Sequence, residues 1–384
     1  MQLGLNHISI IAFYVIIAYF IYKNRSKIEF HKIYLLYRTK AGIKLIDRIA
    51  KWRFWKFWGY AGVPVGFIGM AAILWMLISK FIEILTKPVV DKSVQLLLPG
   101  VSVGSIGPFM FMPFWTFIIC ITVIILVHEG AHGVISRVHK IKVNSTGLGI
   151  FTIIPLAFVE PDEKQLENSK LKKQLSIFAA GPFANICTAV IVMLISAFIL
   201  VPAAGNLLEP AGLDITDTIS DFPAENAGII PGDTILAVNS VDTLSVDAFI
   251  LEMEGINPGE LVKISLQDRD VSLNVIENPQ EQDKPYLGVS FKQNFEPKSG
   301  TAFGSFIGEI VFYLVNLFSW LALLNIGIAL VNLLPIGPVD GGRMLRATLD
   351  KTVKDSRKSS ILWLIISTVS LALLLVNIFG PVIM

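Results

Sequence analysis

The chain has 384 residues, 53% of them hydrophobic and only 16% charged, a balance too apolar for an ordinary soluble enzyme. Its formal net charge of +2 excludes the basic footprint of a nucleic-acid binder and leaves the placement of charge as the informative quantity. Cys120 and Cys187 both sit in apolar runs and read as small packed hydrophobes, so no disulfide or oxidising compartment is inferred.

A membrane-crossing helix needs about 20 mainly apolar residues. Six stretches approach that length: Ile8 to Tyr22, Tyr60 to Ile84, Phe111 to Ile135, Ile177 to Val201, Ile307 to Leu334 and Ile361 to Ile378. The first is short, but it lacks a basic leader and is followed by Lys23, Arg25 and Lys27, so it reads as a retained anchor. Positive charge then gathers between Lys23 and Lys56, joined by Trp52, Trp55 and Trp58, which predicts a cytoplasmic segment. Interleaved aromatics and bases there suit a helix lying on the membrane surface or a solvated loop. Counting spans from that point puts the basic runs Arg137 to Lys173 and Arg343 to Lys358 inside as well. Both termini, Thr86 to Met110 and a long insert fall outside.

The third span carries His128-Glu129-Gly130-Ala131-His132. Histidines at i and i+4 share one helix face and can present ring nitrogens to one zinc ion, with Glu129 beside it. From Pro113 to His128 is about 22 Å of helix, so the motif lies deep in the bilayer toward its cytoplasmic side. An ionisable cluster at that depth reads as functional. A catalytic zinc site commonly takes a third protein ligand. The fifth span ends in a Pro- and Gly-broken run that leaves Asp340 in irregular backbone near the cytoplasmic face, a candidate for that role. His139, His7 and His31 read as interfacial or surface residues, and Glu160, Asp162 and Glu163 as a solvated acidic patch.

Three separated motifs, the HExxH of His128, Glu129 and His132, the Gly181-Pro182-Phe183-Ala184-Asn185 pattern and the Asn332-x-x-Pro335 run leading to Asp340-Gly341, resemble the site-2 proteases. These are intramembrane zinc metalloproteases of regulated proteolysis, and the likeness covers Phe111 to Arg346. The resemblance implies a Zn2+ ion bound by His128, His132 and Asp340, with Glu129 as general base toward a zinc-activated water. It also implies that Asn332 holds substrate backbone, while Asn185 is divided between helix packing and substrate positioning. Asn144 to Glu160 resembles the family's membrane-embedded hairpin, whose edge can pair with an unwound substrate.

Within the insert, Pro223 to Asn239 looks like the signature of a PDZ domain of the bacterial protease type, acting as a size filter or a peptide binder. The expected fold is a polytopic α-helical membrane protein with about six transmembrane helices and a small extracytoplasmic α+β PDZ-like domain. The expected divisions are 1–110 for the first two spans, 111–201 for the catalytic core, 202–304 for the PDZ-like domain and 305–384 for the last spans. Expected partners are the lipid bilayer and transmembrane protein substrates already cut once by another protease, with no nucleic acid. The expected location is the plasma membrane of a prokaryote. The competing readings are a zinc-binding PDZ scaffold or peptide carrier that does not cut, and a transporter, which the lack of a visible inverted repeat disfavours.

Overall fold

The structure, a computed structural model, describes residues 5–30, 34–86, 94–100, 104–106, 109–151, 154–279, 281, 284–298 and 302–383. The chain divides into two compact units, one of Met1–Leu194 with Leu317–Met384 and the other of Ile195–Asn316. Among the described residues five helices are long and apolar enough to cross a membrane: Phe54–Thr86, Phe114–Val138, Ala180–Leu207, Gly304–Asn332 and Ser356–Gly380. The apolar helix His7–Lys23, where the first of the six spans is expected, is shorter.

In the first unit, α1 (Leu5–Lys23) leads into strands β1 (Ile28–Phe30) and β2 (Tyr34–Thr39), followed by α2 (Ile43–Ile49) and α3 (Phe54–Thr86). The basic segment is therefore neither one surface helix nor a plain loop. Its apolar residues Leu35, Leu36 and Tyr37 are spent on a sheet. Strands β3 (Leu96–Gly100), β4 (Gly104–Ile106) and β5 (Phe109–Pro113) precede α4 (Phe114–Val138), with β5 parallel to β3 and antiparallel to β4. Helix α4 thus begins after Pro113, later than the apolar run beginning at Phe111 suggested, because the residues before the proline pair as a strand.

After α4 come β6 (Val143–Phe151) and β7 (Ile154–Pro161), an antiparallel pair separated by residues 152–153, which lie outside the described residues. They join β1 and β2 in a sheet of order β1-β2-β6-β7, with Tyr37 opposite Leu148 and Leu148 opposite Ala157. A polar row crosses all the strands of this sheet. Arg38 contacts Glu29 and donates to Glu160 Oε2 at 3.3 Å, and Ser145 Oγ donates to the same oxygen at 2.5 Å. The row ties the paired strands together by side-chain bonds that a one-residue slip of register would break. Two short helices, α5 (Glu163–Glu167) and α6 (Leu171–Phe178), lead to α7 (Ala180–Ile195). Asp162 caps α5 by accepting from the Gln165 amide at 3.0 Å.

The second unit starts with a π-helical stretch, Ser196–Leu200, and α8 (Val201–Leu207). Then follow β8 (Leu208–Thr218), α9 (Pro223–Asn226), β9 (Thr234–Val238), β10 (Val241–Asp242), α10 (Val246–Glu254), β11 (Leu261–Leu266), β12 (Asp270–Asn274), β13 (Ile276–Glu277), β14 (Pro285–Tyr286) and β15 (Val289–Pro297). The main sheet runs β12-β11-β9-β8-β15, with β10 folded back on β9, and β13 pairs β14 separately. Strand β11 alternates exposed and buried positions, so Val262, Ile264 and Leu266 point into a core shared with Ile235, Val238, Phe249 and Met253. Ser245 Oγ caps α10 by accepting from the Ala248 amide at 3.2 Å.

Helices α11 (Ala302–Asn332), α12 (Asp340–Thr352) and α13 (Ser356–Ile383) complete the chain. In the first unit α3 carries a stripe of small residues. An added Cβ at Gly59, Gly62, Gly66 or Gly69 would meet Ile135, Phe183, Met344 or Leu333 respectively. Close helix approach through small residues is how such bundles gain dispersion contact when lipid supplies no hydrophobic drive. Helix α13 is tied to α3 by Asn377 Nδ2, which donates to Leu77 O at 3.0 Å.

Candidate metal centre

On α4, one turn separates His128 from His132, and their ring centroids lie 4.9 Å apart. Helix α11 stops at Asn332 because Pro335 and Pro338 follow, and the run Leu333 to Val339 turns the chain into α12. Asp340 is the first residue of α12. It therefore does not sit in irregular backbone, as the sequence suggested, but at a helix N-terminus, where backbone amides favour a carboxylate. Its Oδ2 lies 3.1 Å from His128 Nε2 and 3.3 Å from His132 Nε2. The ligand atoms of His128, His132 and Asp340 all fall within 4.8 Å of one another.

Two observations test whether these residues fit zinc. His132 Nδ1 lies 2.7 Å from Ile177 O. A backbone carbonyl can only accept, so Nδ1 carries the proton and the Nε2 lone pair faces the other donors. The second observation is steric. A Cβ on Gly181 of α7 would lie within 2.5 Å of Nε2 of both histidines. Glycine there leaves room for both rings to face one point. Two imidazole nitrogens and one carboxylate oxygen form a donor set suited to zinc.

Glu129 faces a cavity of about 330 Å³ lined also by His128, His132, Asn332, Asp340 and Arg343. Its Oε2 accepts from the Val159 amide at 2.9 Å. Val159 lies on β7, which pairs with β6 on one side and has no strand on the other among the described residues. The carboxylate thus lies along a strand edge that pairs with no other strand among the described residues and packs beside α4. Glu129 also borders an apolar cavity of about 1000 Å³, with Phe20, Tyr37, Trp55, Leu126 and Ala157 in its walls.

Asn332 lines the smaller cavity while its Nδ2 donates to Ile328 O of its own helix at 3.0 Å. Asn185 is fully buried, with Nδ2 3.1 Å from His128 Nδ1, and is not part of that cavity's lining. His139 is buried within the protein with Nε2 2.7 Å from Ser176 Oγ, where the sequence suggests an interfacial or surface residue, because α4 carries it under α6. His7 is exposed on α1, and His31 lies outside the described residues. Glu160 belongs to the polar row, Asp162 is a cap, and Glu163 is exposed with Arg343 3.8 Å away. Arg343 itself, whose guanidinium carbon lies 4.5 Å above the Phe178 ring, reads in the sequence only as part of a cytoplasmic basic run and not as a site residue. Nor does Val159, which acts through its backbone amide and so leaves no mark in residue identity.

The sequence profile described as Peptidase family M50 matches residues 116–376. The chain belongs to peptidase family M50. As a member of M50 it is a zinc metalloprotease and an integral membrane protein, in keeping with its apolar helices. An uncharacterized protein of Methanocaldococcus jannaschii is 27% identical over 337 residues, covering 85% of this chain and 81% of that one. A protein of Clostridium acetobutylicum named "Putative zinc metalloprotease" is 26% identical over 214 residues, covering 47% of this chain and 60% of its own length. A Streptococcus pyogenes serotype M6 protein with the same descriptive name is 22% identical over 227 residues, covering 49% and 53%. The chain thus spans little more than half of those two relatives. Among solved structures, the PDZ domain of an SdrC-like protein from Listeria monocytogenes matches at 19% identity and a TM-score of 0.19, covering 21% of this chain and 86% of that domain. That likeness is too slight to argue from.

Proposed function

We propose that this M50 peptidase hydrolyses peptide bonds of membrane proteins in or beside their transmembrane segments, with Glu129 as the general base. The observation that carries the proposal is the placement of Glu129 beside the His128-His132-Asp340 group and, at once, against the edge of β7 that no strand pairs among the described residues.

A zinc ion held by His128, His132 and Asp340 would supply Lewis-acid activation of water and of the scissile carbonyl. The remaining roles fall to the chain's own groups. The Val159 amide fixes the Glu129 carboxylate so that it can accept a proton during attack and return it to the leaving amine. A substrate segment laid beside β7 would be read as an added strand, its backbone extended and its peptide bond brought to Glu129. A substrate helix satisfies its own backbone and resists cutting until it unwinds, so helix-breaking residues near the cut should favour hydrolysis. Asn332, on the cavity wall, has an amide that can hold the unwound backbone once it leaves its bond to Ile328 O. The large apolar cavity on the other flank of Glu129 suits delivery of an apolar segment from lipid.

The division into 1–110, 111–201, 202–304 and 305–384 goes with this reading. So does the placement of the site toward the cytoplasm of a prokaryotic plasma membrane, with the PDZ-like insert outside. There the insert would screen out substrates with intact ectodomains, so that cutting follows a first external cleavage, as in regulated proteolysis. A zinc-holding scaffold is disfavoured because structural zinc sites usually close all four positions with protein ligands.

The test is cleavage of a single-span reporter by purified protein in detergent, comparing wild type with Glu129→Gln and measuring bound zinc. Loss of cleavage by about 10²–10⁴-fold in the variant, with its metal retained, is the expected result. Equal cleavage by both proteins would remove Glu129 from the mechanism.

A further inference from the structure

We infer that Asn185 is a positioning residue for His128, its side-chain carbonyl accepting a hydrogen bond from Nδ1–H and so aiming the Nε2 lone pair at the metal. The inference rests on the metal-centre reading above. It starts from the geometry of α7, where Gly181 and Asn185 are one turn apart and therefore on one face, toward α4. The glycine lets the α7 backbone approach the two imidazoles, and the asparagine, one turn further along, reaches the far side of His128 at 3.1 Å.

The two ends of an amide have the same shape, so hydrogen-bond chemistry decides which one faces the ring. With Nδ2 toward His128, Nδ1 must be the acceptor, and the ring proton sits on Nε2. That tautomer points a hydrogen at Asp340 Oδ2 and cannot bind a metal through Nε2. The same orientation leaves Asn185 Oδ1 buried without a hydrogen-bond partner, which is costly for a side chain wholly out of solvent. With Oδ1 toward His128, Nδ1–H donates and Nε2 is free. Either orientation leaves one amide end unbonded, so ligation by Nε2 decides between them. The result parallels His132, whose Nδ1 is held by Ile177 O. Each imidazole is then gripped from behind, as metal-bound histidines generally are.

Burial separates this role from substrate positioning. Asn185 is 0% exposed and absent from the cavity lining that includes Asn332, so a substrate in that cavity does not meet it.

The experiment uses the full chain in detergent and two readouts that do not depend on turnover: zinc affinity by competition with a chromogenic chelator, and the visible spectrum of the Co²⁺-substituted protein. Asn185→Leu fills similar space but cannot accept, and should bind zinc about 10–100-fold more weakly with altered Co²⁺ bands. Asn185→Asp keeps an acceptor and loses the amide donor, and should stay within a few-fold of wild type. Asn325→Leu is the control, since Asn325 is another fully buried amide with an unbonded Oδ1, its Nδ2 donating to Leu321 O of its own helix. It should leave zinc binding unchanged. Wild-type affinity and spectrum in Asn185→Leu would overturn the inference, as would an Asp variant as weak as the Leu variant. Equal zinc loss in the Asn325 control would overturn it too, by tracing the effect to general packing. Absence of zinc from wild type would instead overturn the metal-centre reading, which is a distinguishable outcome.

Discussion

Gly181 and His128 approach so closely that a β-carbon on the glycine would lie 2.5 Å from the ring Nε2. No rotamer relieves that contact, because Cβ is fixed by the backbone. Gly181→Ala should therefore push an imidazole off its position, and displacement of about 1 Å at a reacting centre costs on the order of 10²-fold in rate. Zinc content and reporter cleavage measured together check this. Normal values for both would mean that α7 can retreat from α4.

The Val159 amide points at Glu129 and not at β6, so its loss should leave the sheet standing. Val159→Pro removes that donor at an open edge, where proline is tolerated. It should cut hydrolysis while leaving zinc in place, by an amount matching the loss of one charge-assisted hydrogen bond, about 1.5–3 kcal/mol in activation free energy. Unchanged cleavage would show that Glu129 is oriented by something else.

His139 lies just beyond the α4 span, and burial, with Lys173 and Lys56 acting in the same direction, pushes its pKa down to about 4. An unfolded histidine protonates near 6.5, so between those values the unfolded chain binds the extra proton. The contribution is then complete above pH 6.5 and is lost as pH falls toward 4, by up to about 3 kcal/mol. Thermal unfolding in detergent should show wild type losing stability across that window more steeply than His139→Gln. Parallel profiles would remove His139 as the cause.

Ile264 is fully buried in the core of the second unit. Ile264→Asp places a charge there and should unfold that unit at a cost beyond about 3 kcal/mol. If the insert excludes bulky ectodomains, cleavage of an untrimmed substrate should rise toward that of a trimmed one. A fall in cleavage of the trimmed substrate would instead mark the insert as a peptide-capturing element.

The residues His128, Glu129, His132 and Asp340 could be picked out in the sequence because polar groups in apolar runs stand out against their background. The sheet that frames them was half legible. The hairpin was visible in Asn144 to Glu160, but β1 and β2 were not, because Tyr34 to Thr39 places apolar residues at both odd and even positions and shows no alternation of polar and apolar residues. The short strands between α3 and α4 were hidden for a related reason. Phe109 to Pro113 is as apolar as the helix it precedes, and only Pro113 marks the change. The Pro-Gly run before Asp340 suggests irregular backbone, whereas the chain uses that run to start a new helix.

His128 and Asp340 are separated by 212 positions, and all of Ile195–Asn316 is made between them. A ribosome feeding this chain into a membrane therefore releases the histidine helix long before the aspartate exists. If His128, His132 and Asp340 hold the metal as proposed, the centre lacks a donor until α12 emerges, and the nascent polypeptide stays inert toward the other newly inserted proteins around it until then.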